Sequence, residues 1–293
     1  VLVRVIELFA GAGGAALGLE RAGFSHAALV EWDADACATL RAAGLGPVVQ
    51  GDVRDLDAVA AVAGESCDLL WSSYPCQAFS TAGQMLGADD DRNGWPWTVE
   101  AIDRFRPTWF LGENVRGLLS FDYFDEVIMG QLRERFRCAG FWLLNAADVG
   151  VPQHRRRVFT WAGPSPLVPP TRTHGPGMFT KPWVSMGEVL HIDGPSKWLH
   201  RPSPTVTAVG ECKGSGAGAN PHKMQRASDA LFLATGRRRL TVEECATLQG
   251  FPADHPWQGT KTSRYRQVGN AVPPALAEAV GRTVINAWKG LSC

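Results

Sequence analysis

The chain has 293 residues, 45% of them hydrophobic and 20% charged, which is ordinary for a folded globular enzyme. No run approaches the roughly 18 apolar residues of a membrane span, and the N-terminus lacks the pattern of a secretion signal. The seven cysteines are scattered without C-x-x-C spacing, which predicts a reduced, cytoplasmic chain without a zinc cluster.

The net charge of zero hides an uneven distribution. Residues 1–150 hold 11 basic and 21 acidic side chains, whereas residues 151–293 hold 18 basic and 8 acidic ones. Two interpretations are open at this point. The two halves dock on each other through opposite charge, or the basic half meets a polyanion.

Strand-like and helix-like segments alternate over the first 160 residues. We predict strands at Val1–Phe9, Ala27–Glu31, Val48–Gly51, Cys67–Ser72, Thr108–Glu113, Phe141–Ala147 and Arg157–Trp161. We predict helices at Ala15–Ala22, Ala34–Leu40, Leu56–Val62 and Phe124–Ala139. This alternation predicts a doubly wound α/β sheet with sites at the carboxyl ends of its strands.

The composition changes after Gly163, where residues 163–236 are rich in Pro, Gly and Thr. Breakers at this density predict short strands and loops in a small, irregular second domain. Its minor core is expected from Trp183, Val184, Val189, Leu190, Trp198 and Leu231–Leu233. Helices are predicted at Leu240–Leu248 and at Ala275–Trp288, and the second of these returns to the first domain. The predicted domains are therefore residues 1–162 with 270–293, and residues 163–269.

Three successive strand ends carry groups that suit a nucleoside cofactor. The glycine turn Phe9–Gly14 lets backbone approach a ligand at a helix N-terminus. At the next strand end the Glu31 carboxylate can accept from ribose hydroxyls, and the Trp32 indole can cover an adenine face. Asp52 can accept from an adenine amino group. The turn also fits G-x-G-x-x-A, so a nicotinamide dinucleotide is an alternative ligand. A tight turn that binds no ligand is the other alternative.

A thiol and a carboxylate follow two further apolar runs. Cys76 stands in Tyr74-Pro75-Cys76-Gln77, and Glu113 opens Glu113-Asn114-Val115. Strands that end side by side would bring both groups into one crevice, where a thiolate is a strong nucleophile. The alternatives are an inert packing cysteine and a carboxylate that caps a turn.

The stretch Gln153 to Arg157 and the segment around Asn270 are two further candidates. In a strand, Gln153, Arg155 and Arg157 would share one face and could hold a phosphate or orient Glu113. The alternative is a solvated basic edge. Asn270 could cap the final helix or contact a ligand.

Six motifs, in order over nearly the whole chain, resemble those of DNA (cytosine-5) methyltransferases of the bacterial restriction-modification type. They are Phe9–Gly14 with Glu31-Trp32 and Asp52, Pro75-Cys76-Gln77, Glu113-Asn114-Val115, Gln153-x-Arg155-x-Arg157, Arg239 to Phe251, and Gly269-Asn270. The resemblance implies a Rossmann-like S-adenosylmethionine-dependent methyltransferase domain with a smaller, irregular target-recognition domain. The recognition region would cover about residues 163–236.

The resemblance also implies a role for each motif. S-adenosyl-L-methionine, without a metal, is expected at Phe9, Gly11, Ala12, Gly14, Glu31, Trp32, Asp52, Val53, Pro75, Pro96, Asn270 and Ala271. The expected catalytic residues are Cys76, Glu113, Arg157, Arg155 and Gln153. Cys76 would add to C6 of a cytosine rotated out of the duplex while Glu113 holds the ring edge, so that carbon 5 takes the methyl group. A loop of about residues 77–94 would close over the base.

The implied partner is double-stranded DNA, bound by a monomer without a membrane, and a cognate restriction endonuclease is a further candidate. The basic half would contact phosphates through residues such as Arg172, Lys181, Lys197, Arg201, Lys213, Lys223 and Arg226. Two rivals are a tRNA cytosine-5 methyltransferase and a catalytically silent DNA-binding relative. A nicotinamide oxidoreductase would leave Cys76 and the basic half unexplained.

Two positions depart from the family pattern. Tyr74 replaces the usual first proline before Cys76. The segment Asp91–Trp97 follows only loosely the usual Arg-Gly-x-Leu-Phe. In this chain the resemblance therefore implies that Pro96 and Trp97 lie near the methyl donor. Both departures bear on the shape of the cofactor pocket rather than on the class of reaction.

Overall fold

Seven strands form one sheet in the computed structural model, which describes residues 2–75, 93–194, 197, 199–208 and 240–291. They are β1 (Val3–Leu8), β2 (Phe24–Glu31), β3 (Val48–Gln50), β4 (Leu69–Ser72), β5 (Trp109–Val115), β6 (Cys138–Asn145) and β7 (Arg156–Gly163). Their order is β3-β2-β1-β4-β5-β7-β6, in which the first five are parallel and β7 runs antiparallel to both its neighbours. The carboxyl ends of the parallel strands and the start of β7 therefore meet at one edge, called here the crevice edge.

The helices flank this sheet as the alternation predicts, and the doubly wound α/β prediction is confirmed. They are α1 (Gly14–Ala22), α2 (Ala34–Ala42), α3 (Leu56–Ala63), α4 (Trp95–Phe105), α5 (Gly130–Arg135), α6 (Met186–Leu190), α7 (Val242–Gln249), α8 (Lys261–Asn270) and α9 (Pro274–Leu291). Short 3₁₀ turns cover Arg116–Ser120 and Ala146–Val149.

The predicted helix Phe124–Ala139 is wrong as a single element. A π-helical turn over Phe124–Met129 leads into α5, which ends at Arg135, and β6 already begins at Cys138. The short helix α6 also departs from the expectation of only strands and loops after Gly163. Its N-cap is Ser185, whose hydroxyl accepts from the Glu188 amide.

Two apolar cores lie on opposite faces of the sheet, and the last helix belongs to one of them. α9 packs with α1 on one face, as predicted, through residues such as Leu19 and Val280. The two helices approach closely because α1 has Gly18 at the contact, where a Cβ would lie 2.3 Å from the Pro274 carbonyl oxygen. Each fully buried Leu or Val contributes about 1.5–3 kcal/mol relative to exposure. α9 is thereby fixed to the first half of the chain.

A separate apolar cluster lies among residues of the second half. Its buried members are Met186, Leu199, Val206, Leu240, Val242, Cys245, Ala246, Leu248, Phe251, Tyr265, Val268 and Ala271. Of the predicted minor core, Val189 and Leu190 pack at its margin, whereas Trp183 contacts His154 instead. Trp198 and Leu231–Leu233 lie outside the described residues. The domain boundaries stay a prediction.

Among the described residues, no helix combines the length and the apolar composition needed to cross a membrane.

A buried imidazole lies between two carboxylates where β1 and β2 meet α1. His26 Nε2 is 3.2 Å from a Glu7 oxygen, and His26 Nδ1 is 3.6 Å from a Glu20 oxygen. Burial disfavours the charged imidazole, but the hydrogen bonds and negative charges of Glu20 and Glu7 outweigh it and raise the pKa of His26 to about 9. The folded protein therefore holds a proton that the unfolded chain releases near pH 6.5.

We expect the free energy of unfolding to fall as pH rises from about 6.5 through about 9, by on the order of 3 kcal/mol. Because the folded pKa is raised, this stabilisation is complete below the unfolded pKa and is lost above the folded one. Urea unfolding at a series of pH values measures it. The variant His26→Gln should lose this slope, and equal slopes for both proteins would contradict the assignment.

Candidate functional site

The glycine turn after β1 is held in conformations that expose its backbone. Phe9 has φ 57° although it is not a glycine, and Gly11 has φ 56°. A Cβ at Gly11 would meet no atom within 4 Å, whereas a Cβ at Gly14 would lie 2.2 Å from the Val272 carbonyl oxygen. The turn thus packs tightly against residue 272 on one side and leaves Gly11 open on the other. Ala12 is buried between these two points.

The Glu31 carboxylate at the end of β2 is fixed by three backbone amides. One oxygen accepts from Gly11 N at 2.8 Å, and the other accepts from Trp32 N and Asp33 N at 2.9 Å. Burial raises the pKa of Glu31, and the hydrogen bonds from the backbone oppose that rise. A carboxylate has about four acceptor positions, so Glu31 can still accept from a further donor. The adjacent Trp32 ring is 81% exposed.

Asp52, after β3, is engaged by its own neighbour. Arg54 donates to both carboxylate oxygens through Nε, at 3.0 and 2.9 Å, and this hydrogen bonding lowers the pKa of Asp52. The Arg54 guanidinium also lies 5.3 Å from the centre of the Trp97 ring. Asp52 is thus linked to the start of α4, and Val53 beside it is buried. Pro96, in the first turn of α4, is exposed.

The segment after β4 is fixed up to Pro75, and Cys76 lies outside the described residues. Asn114 Nδ2 donates to the Tyr74 carbonyl at 3.2 Å, which ties this strand end to the end of β5. The Tyr74 ring is buried and packs edge-on against Trp95, with ring centres 5.5 Å apart. The residue that departs from the family pattern is therefore a core residue. Pro75 itself lies against Gly94.

Glu113 and Arg157 form an almost fully buried ion pair at the crevice edge. Arg157 Nε lies 3.1 Å from Glu113 Oε1. The pair forms because β7 is antiparallel to β5 and Arg157 is paired with Val115, two residues beyond Glu113. Burial raises the pKa of Glu113 above its ordinary value, and the charges of Arg157 and Arg155 oppose that rise.

Gln153 and Arg155 do not share a strand face with Arg157, because β7 begins only at Arg156. The amide of Gln153 already turns back to the Val151 carbonyl at 2.7 Å. Both side chains are fully buried, and they bind elements of the second half rather than Glu113. Gln153 Nε2 donates to the Leu248 carbonyl and to Gln249 Oε1, and Gln153 Oε1 accepts from Val206 N.

Arg155 also binds the segment at Val206 and reaches one further segment of the second half. Its guanidinium donates to the Val206 carbonyl at 3.2 Å and to the Gly269 carbonyl at 3.0 Å. Arg155 influences Glu113 through its charge, and it contacts the backbone of these two segments directly.

Of the two roles open to Asn270, capping of the final helix is excluded, and ligand contact stays a prediction. Asn270 is the last residue of α8, a helix that the sequence did not suggest, and α9 begins only at Pro274. The N-cap of α8 is Thr260, whose hydroxyl accepts from the Ser263 amide. Asn270 is exposed, and Ala271 after it is buried.

His255 is a residue of the site that sequence reasoning missed. Its Nε2 lies 3.1 Å from the Ala12 carbonyl oxygen in the glycine turn. The His255 ring also packs at 4.9 Å from Phe251 and at 4.5 Å from Trp257. Burial lowers the pKa of His255, which keeps the ring neutral near pH 7. No local signal could have revealed this contact, since 243 residues separate the partners.

The arrangement brings three features to one edge of the sheet. They are the fixed Glu31 carboxylate, which can accept from hydroxyl groups, the open glycine turn at Gly11, and the buried Glu113. The glycine turn follows the carboxyl end of β1, and Glu31 lies at the carboxyl end of β2. The Glu113–Arg157 pair is carried by β5 and β7. The strand between them, β4, leads directly to Pro75 and the cysteine after it. Such an edge can hold a nucleoside beside a group that gives or takes a proton.

Three comparisons with known proteins agree with this arrangement. The family model of C-5 cytosine-specific DNA methylase matches residues 3–174 and 194–286. The chain is 36% identical to Type II methyltransferase M.NaeI of Lentzea aerocolonigenes, over 96% of this chain and 74% of that protein. It is also 36% identical to Type II methyltransferase M.NgoMIV of Neisseria gonorrhoeae, over 97% of both chains. Its fold matches the methyltransferase EhMeth of Entamoeba histolytica with a TM-score of 0.69 at 16% identity, over 98% of this chain and 99% of the other. The chain belongs to the C-5 cytosine-specific DNA methylase family.

Proposed function

We propose that this DNA cytosine-5 methyltransferase transfers a methyl group from S-adenosylmethionine to carbon 5 of a cytosine in a specific duplex sequence. The cytosine is flipped out of the duplex, and Cys76 forms a covalent bond to its C6 atom during the reaction. The observation that carries the proposal is the buried Glu113–Arg157 pair, one strand away from the strand end that leads to Cys76. A base in the stack cannot reach a buried acid, so the proposal includes base flipping.

The residues at the first two strand ends fit S-adenosylmethionine. Glu31 keeps acceptor capacity for ribose hydroxyls after its three backbone bonds, and the exposed Trp32 ring can stack on adenine. Gly11 leaves room for close approach. When bound, this cofactor supplies the methyl group as an electrophile on a sulfonium sulfur and leaves as the neutral thioether.

The side chains of the crevice act on the cytosine ring. The Cys76 thiolate forms a bond to C6, and the electrons of the C5–C6 double bond move toward C5 as Glu113 gives a proton to N3. After C5 has gained the methyl group, loss of the C5 proton to a base re-forms the double bond and expels the thiolate, and N3 returns its proton to Glu113. The raised pKa of Glu113 suits it to hold the proton that N3 receives.

Arg157 is proposed to orient Glu113 and to contact the ring oxygen. The 3.1 Å ion pair fixes the carboxyl while leaving guanidinium donors for a further acceptor. Gln153 and Arg155 support this site indirectly, because they hold Val206, Leu248 and Gly269 around the stretch that leads into β7.

The charge distribution supports duplex DNA as the substrate. The acidic first half carries the cofactor groups, and the basic second half supplies groups for phosphate contacts. Since the relatives M.NaeI and M.NgoMIV are named Type II methyltransferases, we propose that this enzyme also serves a restriction-modification system, acting as a monomer on DNA.

Incubating the purified enzyme with unmethylated plasmid and S-adenosylmethionine, followed by sequencing for 5-methylcytosine, tests the proposal. We expect methylation at one short recurring sequence, because a protein that reads base edges discriminates between sites. A parallel incubation with tRNA tests the rival substrate. Methylated tRNA with unmodified plasmid, or no methylation of either, would overturn the proposal.

A further inference from the structure

Two large apolar side chains stand almost fully in solvent at the tip of one surface loop. Met178 is 92% exposed and Phe179 is 98% exposed, on a loop that runs from Thr173 to Lys181. Single exposed apolar residues are common on proteins. Two adjacent ones that are more than nine-tenths exposed are not explained by folding.

The loop is held firmly behind its tip, so the exposure does not result from fraying. The Thr173 and His174 amides donate to the Asp148 carbonyl at 2.9 and 3.0 Å. The two sides of the loop pair through the Gly175 amide and the Lys181 carbonyl at 2.8 Å, and through the Lys181 amide and the Thr173 carbonyl at 2.9 Å. Met178 and Phe179 are therefore carried by a loop whose base is fixed by backbone hydrogen bonds.

This support lies at the crevice edge. Asp148 follows the end of β6, the strand paired with the start of β7, where Asn145 faces Arg156. Trp183, just after the loop, donates to an Asp148 oxygen at 3.2 Å and packs against the His154 ring at 5.1 Å. His154 stands three residues before the Arg157 that binds Glu113. The loop and the Glu113–Arg157 pair therefore share one edge of the sheet.

Basic side chains surround the base of the loop. Lys181 and Arg156 are exposed, and the exposed Arg172 lies 3.0 Å from an Asp148 oxygen. A surface with cationic groups around two apolar side chains complements a nucleic acid, in which phosphates flank apolar base faces. It complements another protein surface less well, because its exposed charged groups Lys181, Arg156 and Arg172 are all cationic.

We propose that Met178 and Phe179 form a wedge that packs against base pairs of the duplex beside the flipped-out cytosine, while Lys181 contacts a phosphate. This inference rests on the proposed function and adds a duplex contact to it. Apolar side chains can insert between base steps where stacking has been opened, and removing one base from the stack opens it.

Equilibrium binding to a duplex that carries the site found by plasmid sequencing tests the wedge, measured over a range of salt concentrations. For Phe179→Ala we expect Kd to rise about tenfold, since burial of a large apolar side chain is lost, with an unchanged slope of log K against log salt. For Lys181→Ala we expect a weaker salt dependence, with the slope reduced by about one. The thermal midpoint of unfolding should not change for either variant.

The matched control is Leu2→Ala, because Leu2 is 71% exposed and precedes β1 at the opposite end of the strands. It should bind duplex like the wild type. If the wild type methylates plasmid and Phe179→Ala binds as tightly as Leu2→Ala, the wedge is wrong and the proposed function stands. Loss of self-association in Phe179→Ala with unchanged duplex affinity, seen by sedimentation, would likewise overturn the wedge. A wild type that methylates no DNA would overturn the proposed function itself.

Discussion

Replacing Cys76 with alanine is expected to abolish methyl transfer, by more than about 10⁴-fold, because the proposed bond to C6 forms through the thiolate that this change removes. Duplex binding should survive, since phosphate and base-edge contacts come from other residues. Single-turnover transfer of labelled methyl groups and duplex binding on the same preparation separate the two effects.

The matched control for this variant lies at the other end of the same strand. Cys67 is a buried cysteine that precedes β4, whereas Cys76 follows it, and burial raises the pKa of Cys67 to about 12. Such a thiol is unreactive near neutral pH. Cys67→Ala should therefore keep its transfer rate per folded molecule. Substantial residual methylation by Cys76→Ala would contradict the proposed covalent mechanism.

Replacing Glu113 with glutamine is expected to lower the transfer rate by about 10²–10⁴-fold, the usual contribution of a positioned proton donor. The amide keeps the shape of the side chain and can still donate a hydrogen bond, but it cannot give a proton to N3. The change also leaves the buried Arg157 charge without its carboxylate, which destabilises the fold. The rate must therefore be measured per folded molecule, together with the free energy of unfolding.

Glu7→Gln separates the loss of a buried carboxylate from the loss of the proton donor. Glu7 is also a buried carboxylate on a central strand with a cationic partner, and that partner is His26 rather than Arg157. It should lose stability as Glu113→Gln does while methylating at the wild-type rate. If both variants lose stability to a similar degree and keep similar rates, Glu113 has no part in proton transfer.

The strand positions could be predicted because parallel strands covered on both faces appear as continuous apolar runs. The place of β7 could not, since its insertion between β5 and β6 depends on pairing between residues far apart in sequence. Helix α8 escaped prediction because its composition is largely polar and gives no apolar periodicity. Helix α4 does carry a start signal in its sequence, a proline in the first turn.

Some residues of the candidate site could likewise be predicted from the sequence, whereas the contacts between them could not. Glu31, Glu113 and Arg157 were predicted as site residues, since strand ends can be located from apolar runs and each carries a charged group. The pairing of Asp52 with Arg54, and the bond from His255 to the glycine turn, depend on side-chain orientation and on contacts across the chain. Sequence spacing contains no information about such contacts.

The bonds from Gln153 and Arg155 have a consequence for how such an enzyme changes over evolution. Gln153 and Arg155 hold the backbone at Val206, and the Leu240 carbonyl accepts from the Tyr265 hydroxyl at 2.6 Å. Val206 and Leu240 are thus each anchored by residues that lie outside the stretch between them. We therefore expect insertions, deletions or exchanges between these two anchors to leave Glu113 and the glycine turn in place. We expect a lineage to be able to change its DNA sequence preference there while inheriting its chemistry unchanged.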